Sequence, residues 1–466
     1  MSRELTNVTD AVGCRHRLGN CLGRGGQGAV YAIEGTPFVV KVMDETLRAR
    51  QEWLRNQLTF VKRLELKDLP IAQPLEMLRE PHLGYVMELV TGMEPLSRLI
   101  EPPPNVHSVA DWYKSGGGLR RRLKLLARVA EVLNVLHAKG LIYGDLSCKN
   151  VFASAEVNHD EICLIDCDNI RYQSAPQNGD VYTVGYGAPE VVVGRSGVNS
   201  LSEAFAFAVL TFQMLTATHP LIGDFVHDGE PERELAAFEG KLPWIEDPTN
   251  DMNRSRFGLD RAIVLSPRLK KLFEETFGPG LNNPMSRPGI ARWLDALHTA
   301  ADATIKCPQC AATYFPNHKC CPWCLATRPG FVTVRVHLWD PSAGKGNEVL
   351  VSSEDKPVLV ASALLSDGDT LAISARLALG LDGVSGTRQT GSIVLNGQIA
   401  TLRAFEKAPF RLISQDGKQV ITLSQRPSPL KITAAKDSWM LHFGTMDKLH
   451  RFAVFEQRAE VGHESK

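Results

Sequence analysis

The rhythm of apolar and polar positions changes along this chain, and each change marks a region. From residue 18 to about 300, strand-like runs such as Phe38-Val39-Val40 and Val86-Met87 come first, and mostly helical spacing follows. Leu47, Leu54, Leu58 and Val61 define one face of a helix expected over residues 45–65. From Leu119 to Ala138, apolar residues recur at Leu123, Leu126, Val129, Ala130, Leu133 and Leu136, again a helical stripe. A Pro- and Gly-containing connection separates these two, between Leu96 and Gly118. The run Ala204 to Gly223 approaches membrane-spanning length, but Gln213, three threonines and His219-Pro220 interrupt it, which predicts a buried helix. Beyond Gly330 the period falls to two. Val332, Val334, Val336 and Leu338 share one face, and Thr333, Arg335 and His337 the other. Asn396-Gly397 and Asp416-Gly417 then sit between strand-like segments as tight-hairpin signals.

Composition narrows the class. A chain of 466 residues exceeds one core, and 44% hydrophobic with 22% charged residues is ordinary for a globular protein of two to four domains. Lys plus Arg and Asp plus Glu balance at 52 each, which removes the electrostatic reason to expect nucleic acid or an acidic membrane as partner. The cluster Arg120-Arg121-Arg122-Lys124 reads as the solvated face of its helix. The N-terminus carries no apolar export segment, and a cytoplasmic location is expected. Five of the ten cysteines crowd into residues 307–324, a pattern that suits free thiols elsewhere and one metal site there.

Candidate chemistry appears as an ordered series. Gly23, Gly25 and Gly28 occupy the first, third and sixth places of a loop with Val30 at the eighth. Missing side chains let backbone amides close over phosphates, and Val30 can lie against an adenine. Lys41 follows on a strand, placed to pair with the α and β phosphates. Asp145 and Asn150 lie five residues apart in Tyr143-Gly144-Asp145-Leu146-Ser147-Cys148-Lys149-Asn150, a carboxylate that could orient a hydroxyl and an amide that could hold a metal ion. After the strand Ile162-Cys163-Leu164-Ile165 comes Asp166.

In this order the motifs resemble a bacterial Ser/Thr protein kinase of the eukaryotic-like type, over residues 18 to about 298. The resemblance implies a bilobal α+β domain using ATP and Mg²⁺. It also implies a hinge at Val86-Met87-Glu88-Leu89-Val90, with Met87 as gatekeeper and Glu88 and Val90 bonding adenine through their backbone, and Asp166 as a Mg²⁺ ligand. Thr183-Val184-Gly185-Tyr186-Gly187-Ala188-Pro189-Glu190 resembles the family's substrate-docking segment. Thr183 would touch Asp145, and Arg287 would pair with Glu190. Tyr172, Ser174, Tyr182 and Thr183 are hydroxyls available for modification. Glu203 stands where an aspartate anchors the catalytic loop.

This chain departs from the family at several points. Ser147 replaces a γ-phosphate lysine, with Lys149 as the neighbour that could compensate. Gly144 replaces an arginine, and Cys167-Asp168 replaces Phe-Gly. Asp168 either adds a carboxylate near the metal or faces solvent. The partner of Lys41 is either Gln57, favoured by position on the apolar stripe, or Glu52, favoured by charge.

Cys307-Pro-Gln-Cys310 and Cys321-Pro-Trp-Cys324 are two thiolate knuckles that suit a closed tetrahedral structural Zn²⁺, with Cys320 and His318 as spare ligands. The expected architecture is therefore multidomain. A protein-kinase-like domain covers residues 1–300, with an N-lobe of about 18–90 and a C-lobe of about 91–300, a small four-cysteine zinc ribbon covers 301–329, and an all-β sandwich or barrel covers 330–466. Such an order is similar to kinases of bacterial tellurite-resistance-associated phosphorylation modules. That likeness implies a protein substrate, with a metal-dependent protein phosphatase and a von Willebrand A-type protein as candidate partners. Two other functions fit some of the motifs: a pseudokinase scaffold with a nucleotide switch, and a small-molecule phosphotransferase.

Overall fold

A computed structural model describes residues 5–25, 27–44, 51–174, 182–342, 358–381, 383–405, 409–414, 417–432 and 439–458. Gly26 of the glycine run, Leu47 of the first helical stripe and Asp416 of the second hairpin signal lie outside them. Contacts divide the chain into two compact units, one of residues 1–101, 128–257 and 273–290, the other of 102–127, 258–272 and 291–466.

The first unit opens with β1 (Asn7–Thr9), β2 (Arg15–Gly25), β3 (Gly28–Ile33), β4 (Phe38–Met43), β5 (Glu76–Met77) and β6 (Gly84–Glu88), an antiparallel sheet in the order β1-β2-β3-β4-β6-β5. Both faces of this sheet are covered, so β4 reads as a nearly continuous apolar run rather than an alternating one. Val39, Met43, Tyr85 and Met87 join one core, and Leu18, Ile33, Val40 and Val86 join the other. The helix α1 (Gln51–Arg63) seats Leu54 and Leu58 in the first of these cores, each worth about 1.5–3 kcal/mol when fully buried. Gly28 sits at φ +154°, and a Cβ there would meet the Val42 carbonyl at 2.2 Å, so the β2–β3 hairpin admits only glycine at that point.

In the helical part of this unit, the helix Ser200–Thr216 is buried almost all round, as its apolar run predicts. Asn199 starts it with a capping box: its side chain accepts from the amides of Leu201 and Ser202, and the Ser202 hydroxyl accepts from the Asn199 amide in return. That device stabilises a helix by about 0.5–2 kcal/mol and fixes Glu203 in the first turn. Phe212 meets Phe273 edge-to-face at 5.0 Å and Trp244 at 6.1 Å. None of the described helices is long and apolar enough to cross a membrane.

The second unit is rich in β-structure. One sheet orders the strands Leu359–Ser366, Phe331–Trp339, His450–Arg458, Trp439–His442, Arg411–Ser414 and Val420–Thr422. The other orders Thr370–Ser374, Gln389–Asn396, Ile399–Ala404 and Ser428–Lys431. Val334 and Leu441 of the first and Ile393 and Leu402 of the second meet in one core. Two short helices, Ala375–Leu379 and Gly383–Gly386, interrupt the expected all-β pattern.

Three local expectations need correction. The register between Phe331–Trp339 and its neighbour shifts at Val336/His337, and the buried face then passes to Trp339 while Leu338 is only half-buried. In the hairpin, Asn396 pairs with Ile399, so the two-residue turn is Gly397-Gln398, one residue later than the sequence signal, with Gly397 at φ +61°. The basic cluster is not a solvated face. Arg122 is fully buried and lies 3.8 Å over the Tyr113 ring while donating to the Tyr113 carbonyl at 2.8 Å. Burial pushes its guanidinium down to about 10. Arg121 is also buried, and Arg120 bonds Asp369 at 2.7 Å and the Thr304 carbonyl at 2.7 Å. Adjacent arginines on a helix point in different directions, so a run of them cannot share one face.

Candidate active site

Antiparallel pairing sets the first part of the site. Val30 lies opposite Lys41 across β3 and β4, and Lys41 lies opposite Tyr85 across β4 and β6. Gly23 and Gly25 end β2 exposed, with open space where a Cβ would project. Val30, Leu89 and Val90 are partly buried against the core that holds Met87, beside Cys163 and Ile165. Glu88 closes β6 and is exposed. Together these present an apolar slot next to a buried lysine. Nothing in the sequence had pointed to Cys163, because a thiol in an apolar strand carries no motif.

Lys41 is only 4% exposed, and its ammonium sits 2.9 Å from Asp166 Oδ1 and 3.0 Å from Asp168 Oδ2. Burial alone would push its pKa down. The carboxylates of Asp168 and Asp166 more than offset that and hold it above the usual lysine range. This arrangement corrects both expected partners. Glu52 is exposed on α1, and Gln57 faces inward as its position predicts, but its amide donates to the carbonyls of Asp168 at 3.1 Å and Ile170 at 2.6 Å. Asp168 neither faces solvent nor stands apart.

Asp166 adopts a left-handed conformation, φ 56° and ψ 49°, ahead of the 3-10 turn Cys167–Asn169. Asx residues tolerate this region better than others do. Cys167 points inward, fully buried, with its thiol on the Ala72 carbonyl at 3.1 Å.

The loop around Asp145 is tied from several sides. Thr183 donates its hydroxyl to Asp145 Oδ1 at 2.9 Å, and the Asn150 amide donates to Asp145 Oδ2 at 3.1 Å and to its carbonyl at 2.8 Å. With its NH₂ so engaged, Asn150 keeps its amide oxygen as an acceptor. That oxygen and the half-exposed Asp166 carboxylate are hard donors of the kind Mg²⁺ takes. Burial pushes the Asp145 carboxyl up from its ordinary value, opposed by the bonds from Thr183 and Asn150 and assisted by the nearby Asp166 charge.

Glu203 accepts from the Gly144 amide at 2.8 Å and the Tyr143 amide at 3.3 Å, and His137 lies on it at 2.7 Å. The longer side chain therefore performs the anchoring expected of an aspartate. Gly144 sits at φ +95°, where a Cβ would meet the Asn169 carbonyl at 2.8 Å, so no arginine fits in this backbone. The Tyr143 hydroxyl donates to the Ile165 carbonyl, joining the two carboxylate loops. Ser147 is buried, and its hydroxyl has no hydrogen-bond partner among the described residues.

Beyond Asp145 lies a cavity of about 440 Å³ lined by Lys149, Thr183, Tyr186, His219, His227 and Phe257 among others. Lys149 is exposed and lines this cavity. Burial pushes His219 down to about 4, so its neutral ring donates to the Gly185 carbonyl at 2.9 Å and accepts from the Leu221 amide at 3.1 Å. The sequence signalled His219 only as a break in an apolar run. Arg287 grips Glu190 bidentately at 2.7 and 2.8 Å with its own side chain fully buried.

The four cysteines form a separate centre in the second unit. Cys307, Cys310, Cys321 and Cys324 hold their sulfurs within 4.8 Å of one another. Two measured edges are 3.6 Å (Cys307–Cys324) and 3.8 Å (Cys310–Cys321), close to the roughly 3.8 Å edge of a tetrahedron with ~2.3 Å metal–sulfur bonds. Each knuckle closes the same way. The amides of Ala311 and Leu325 bond the carbonyls of Cys307 and Cys321, and both residues take positive φ, 57° and 64°. Cys320 and His318 stand outside the group: Cys320 bridges Thr327, and His318 reaches the Ala262 carbonyl.

Residues 16–295 match the protein kinase domain family model. The serine/threonine-protein kinase pkn2 of Myxococcus xanthus is 27% identical over 302 residues, covering 62% of this chain and 33% of that protein. Pkn1 of the same organism is 29% identical over 216 residues, 44% of this chain and 29% of its own length. Protein kinase YegI of Escherichia coli is 24% identical over 340 residues, 68% of this chain and 49% of that protein. The chain thus spans about a third of the length of the two Myxococcus relatives. With a family match over more than half of its length, the chain belongs to the protein kinase domain family.

Proposed function

We propose that this chain is a Ser/Thr protein kinase that transfers the γ-phosphoryl group of ATP to a protein hydroxyl. One observation carries the reading: Lys41, Asp145, Asn150, Asp166 and Thr183, scattered over more than a hundred positions, are held by charge and hydrogen-bond partners within one site. Phosphoryl transfer asks the protein mainly for positioning and charge, and this set offers both. Lys41 provides the buried cation for the α and β phosphates. Val30, Leu89 and Val90 offer the apolar slot for adenine, with the backbone of Glu88 and Val90 at its rim. The Asn150 amide oxygen and the Asp166 carboxylate would hold Mg²⁺, which when bound neutralises charge on the phosphate oxygens. Asp145 orients the incoming hydroxyl and takes its proton, and Thr183 fixes which way that carboxylate faces.

The Arg287–Glu190 clamp favours a protein acceptor over a small molecule, because it braces the segment that follows Thr183. In the second unit, the sulfur spacing supports a structural Zn²⁺ on Cys307, Cys310, Cys321 and Cys324. The β-rich region and this centre would then serve partner binding. The resemblance to tellurite-resistance-associated kinases makes a metal-dependent phosphatase and a von Willebrand A-type protein candidates.

The test is incubation with labelled ATP and Mg²⁺, comparing the parent with Asp145→Ala and Asp166→Ala. Label on Ser or Thr in the parent and near loss in both variants is expected. Equal label in all three rejects these roles, and nucleotide binding without transfer selects a pseudokinase scaffold.

A further inference from the structure

We propose that Asp168 is the residue that positions Lys41, a task that α1 does not perform in this chain. The inference rests on the kinase reading of the cleft for its functional meaning and on geometry for its substance. The only carboxylate of α1 over Gln51–Arg63 is Glu52, and it is exposed, whereas Lys41 is buried. Gln57, the residue of α1 that turns inward, spends its amide on the backbone carbonyls of Asp168 and Ile170. The helix thus grips the main chain of the aspartate segment, and the aspartate side chain grips the lysine. Two other contacts fix the same turn: the Cys167 thiol on the Ala72 carbonyl, and the Ile170 amide on the Cys167 carbonyl.

The two carboxylates on Lys41 are not equivalent. The Asp166 side chain is 34% exposed and so open to a ligand, while that of Asp168 is 3% exposed. Asp168 Oδ2 is 3.0 Å from the ammonium, and its Oδ1 is buried without a hydrogen-bond partner among the described residues. Lys41 is therefore what compensates the Asp168 charge, and a buried carboxylate with one partner is costly to keep unless that partner stays in place. Were Asp166 to hold a metal ion, Asp168 would still pair with Lys41 and keep it in place for the phosphates. Gly at position 168 would leave Lys41 with Asp166 alone, so the departure from Phe-Gly and the absence of an inward glutamate on α1 are two halves of one rearrangement.

The experiment measures the affinity of the full chain for a non-hydrolysable ATP analogue with saturating Mg²⁺ and again in EDTA, and then the rate against ATP and against Mg²⁺. Asp168→Asn, close in shape, is expected to weaken binding by ~10- to ~100-fold with Mg²⁺ present, the range for losing a hydrogen bond to a charged group, and by less in EDTA, where Asp166 still pairs with Lys41. It should raise KM for ATP while the Mg²⁺ concentration for half-maximal rate stays in place, and Asp168→Glu should recover part of the affinity. Asp168→Asn added to Lys41→Met should cost no further affinity, because Asp168 acts through the lysine. Unchanged ATP affinity in Asp168→Asn, additive losses in the double variant, or a rise in the Mg²⁺ requirement alone each overturns the proposal, the last by making Asp168 a metal ligand. A parent that binds ATP without transferring phosphate defeats the kinase reading instead, and the binding comparison still decides Asp168.

Discussion

The cleft around Lys41 and the four-cysteine centre are both clusters of charge-bearing ligands, yet they are built on opposite principles. The cysteines come from 18 consecutive positions, and two repeated turns, closed at Ala311 and Leu325, aim the sulfurs without help from distant chain. The cleft draws Lys41 from β4, Asp145 and Asn150 from one loop and Asp166 from another, and binds them through long-range contacts such as Tyr143 to Ile165 and Gln57 to Asp168. A local centre tolerates little substitution but is readable from spacing. A dispersed one can exchange a member, as Asp168 stands in where a helix glutamate is expected, without losing the cluster.

The comparison predicts where each centre breaks. Replacing Cys310 and Cys321 by serine should have the largest effect, since structural zinc supplies about 10–16 kcal/mol to such segments. Metal analysis should fall from one zinc per chain to none, with hydrogen exchange rising over residues 305–327. In the cleft, Asp145→Asn should lower kcat by about 10²–10⁴ while leaving ATP affinity near the parent value, as measured by single-turnover kinetics and nucleotide titration. Arg287→Leu strands Glu190 beside a buried gap and should destabilise by about 3–5 kcal/mol in chemical denaturation.

The smallest effect sharpens the picture of Asp145. Its folded pKa lies above the ordinary carboxylate value because burial disfavours the charge, so the acid limb of kcat/KM should fall at a higher pH than a free aspartate would give. Thr183→Val removes a bond that favours the ionised form and should move that limb further up. A limb that stays put in Thr183→Val would place the titrating base elsewhere.

How much was legible follows the same division. The pairings of Arg287 with Glu190 and of Thr183 with Asp145 were foreseen because each residue sits in an ordered motif. Gln57 was placed on the correct face by its stripe, but its bonds were not, because periodicity gives a direction and says nothing about what lies there. The basic run at Arg120–Arg122 departs from its expected solvated face for a related reason: charge predicts solvent exposure only until Tyr113, Thr304 and Asp369 provide partners. His219 and Cys163 carried no functional signal, since burial among distant residues gives each its setting.

The sequence alone determined the order of elements, the glycine hairpin and the cysteine knuckles, all of which depend on neighbours within a few residues, where backbone geometry and spacing dominate. Only the tertiary structure decided that Asp168 joins Asp166 on Lys41, that Glu203 holds the Tyr143-Gly144 amides and that Arg122 is buried. In each case the partner is remote in the chain or hidden by packing, and a buried charge takes whatever compensation the interior brings within reach.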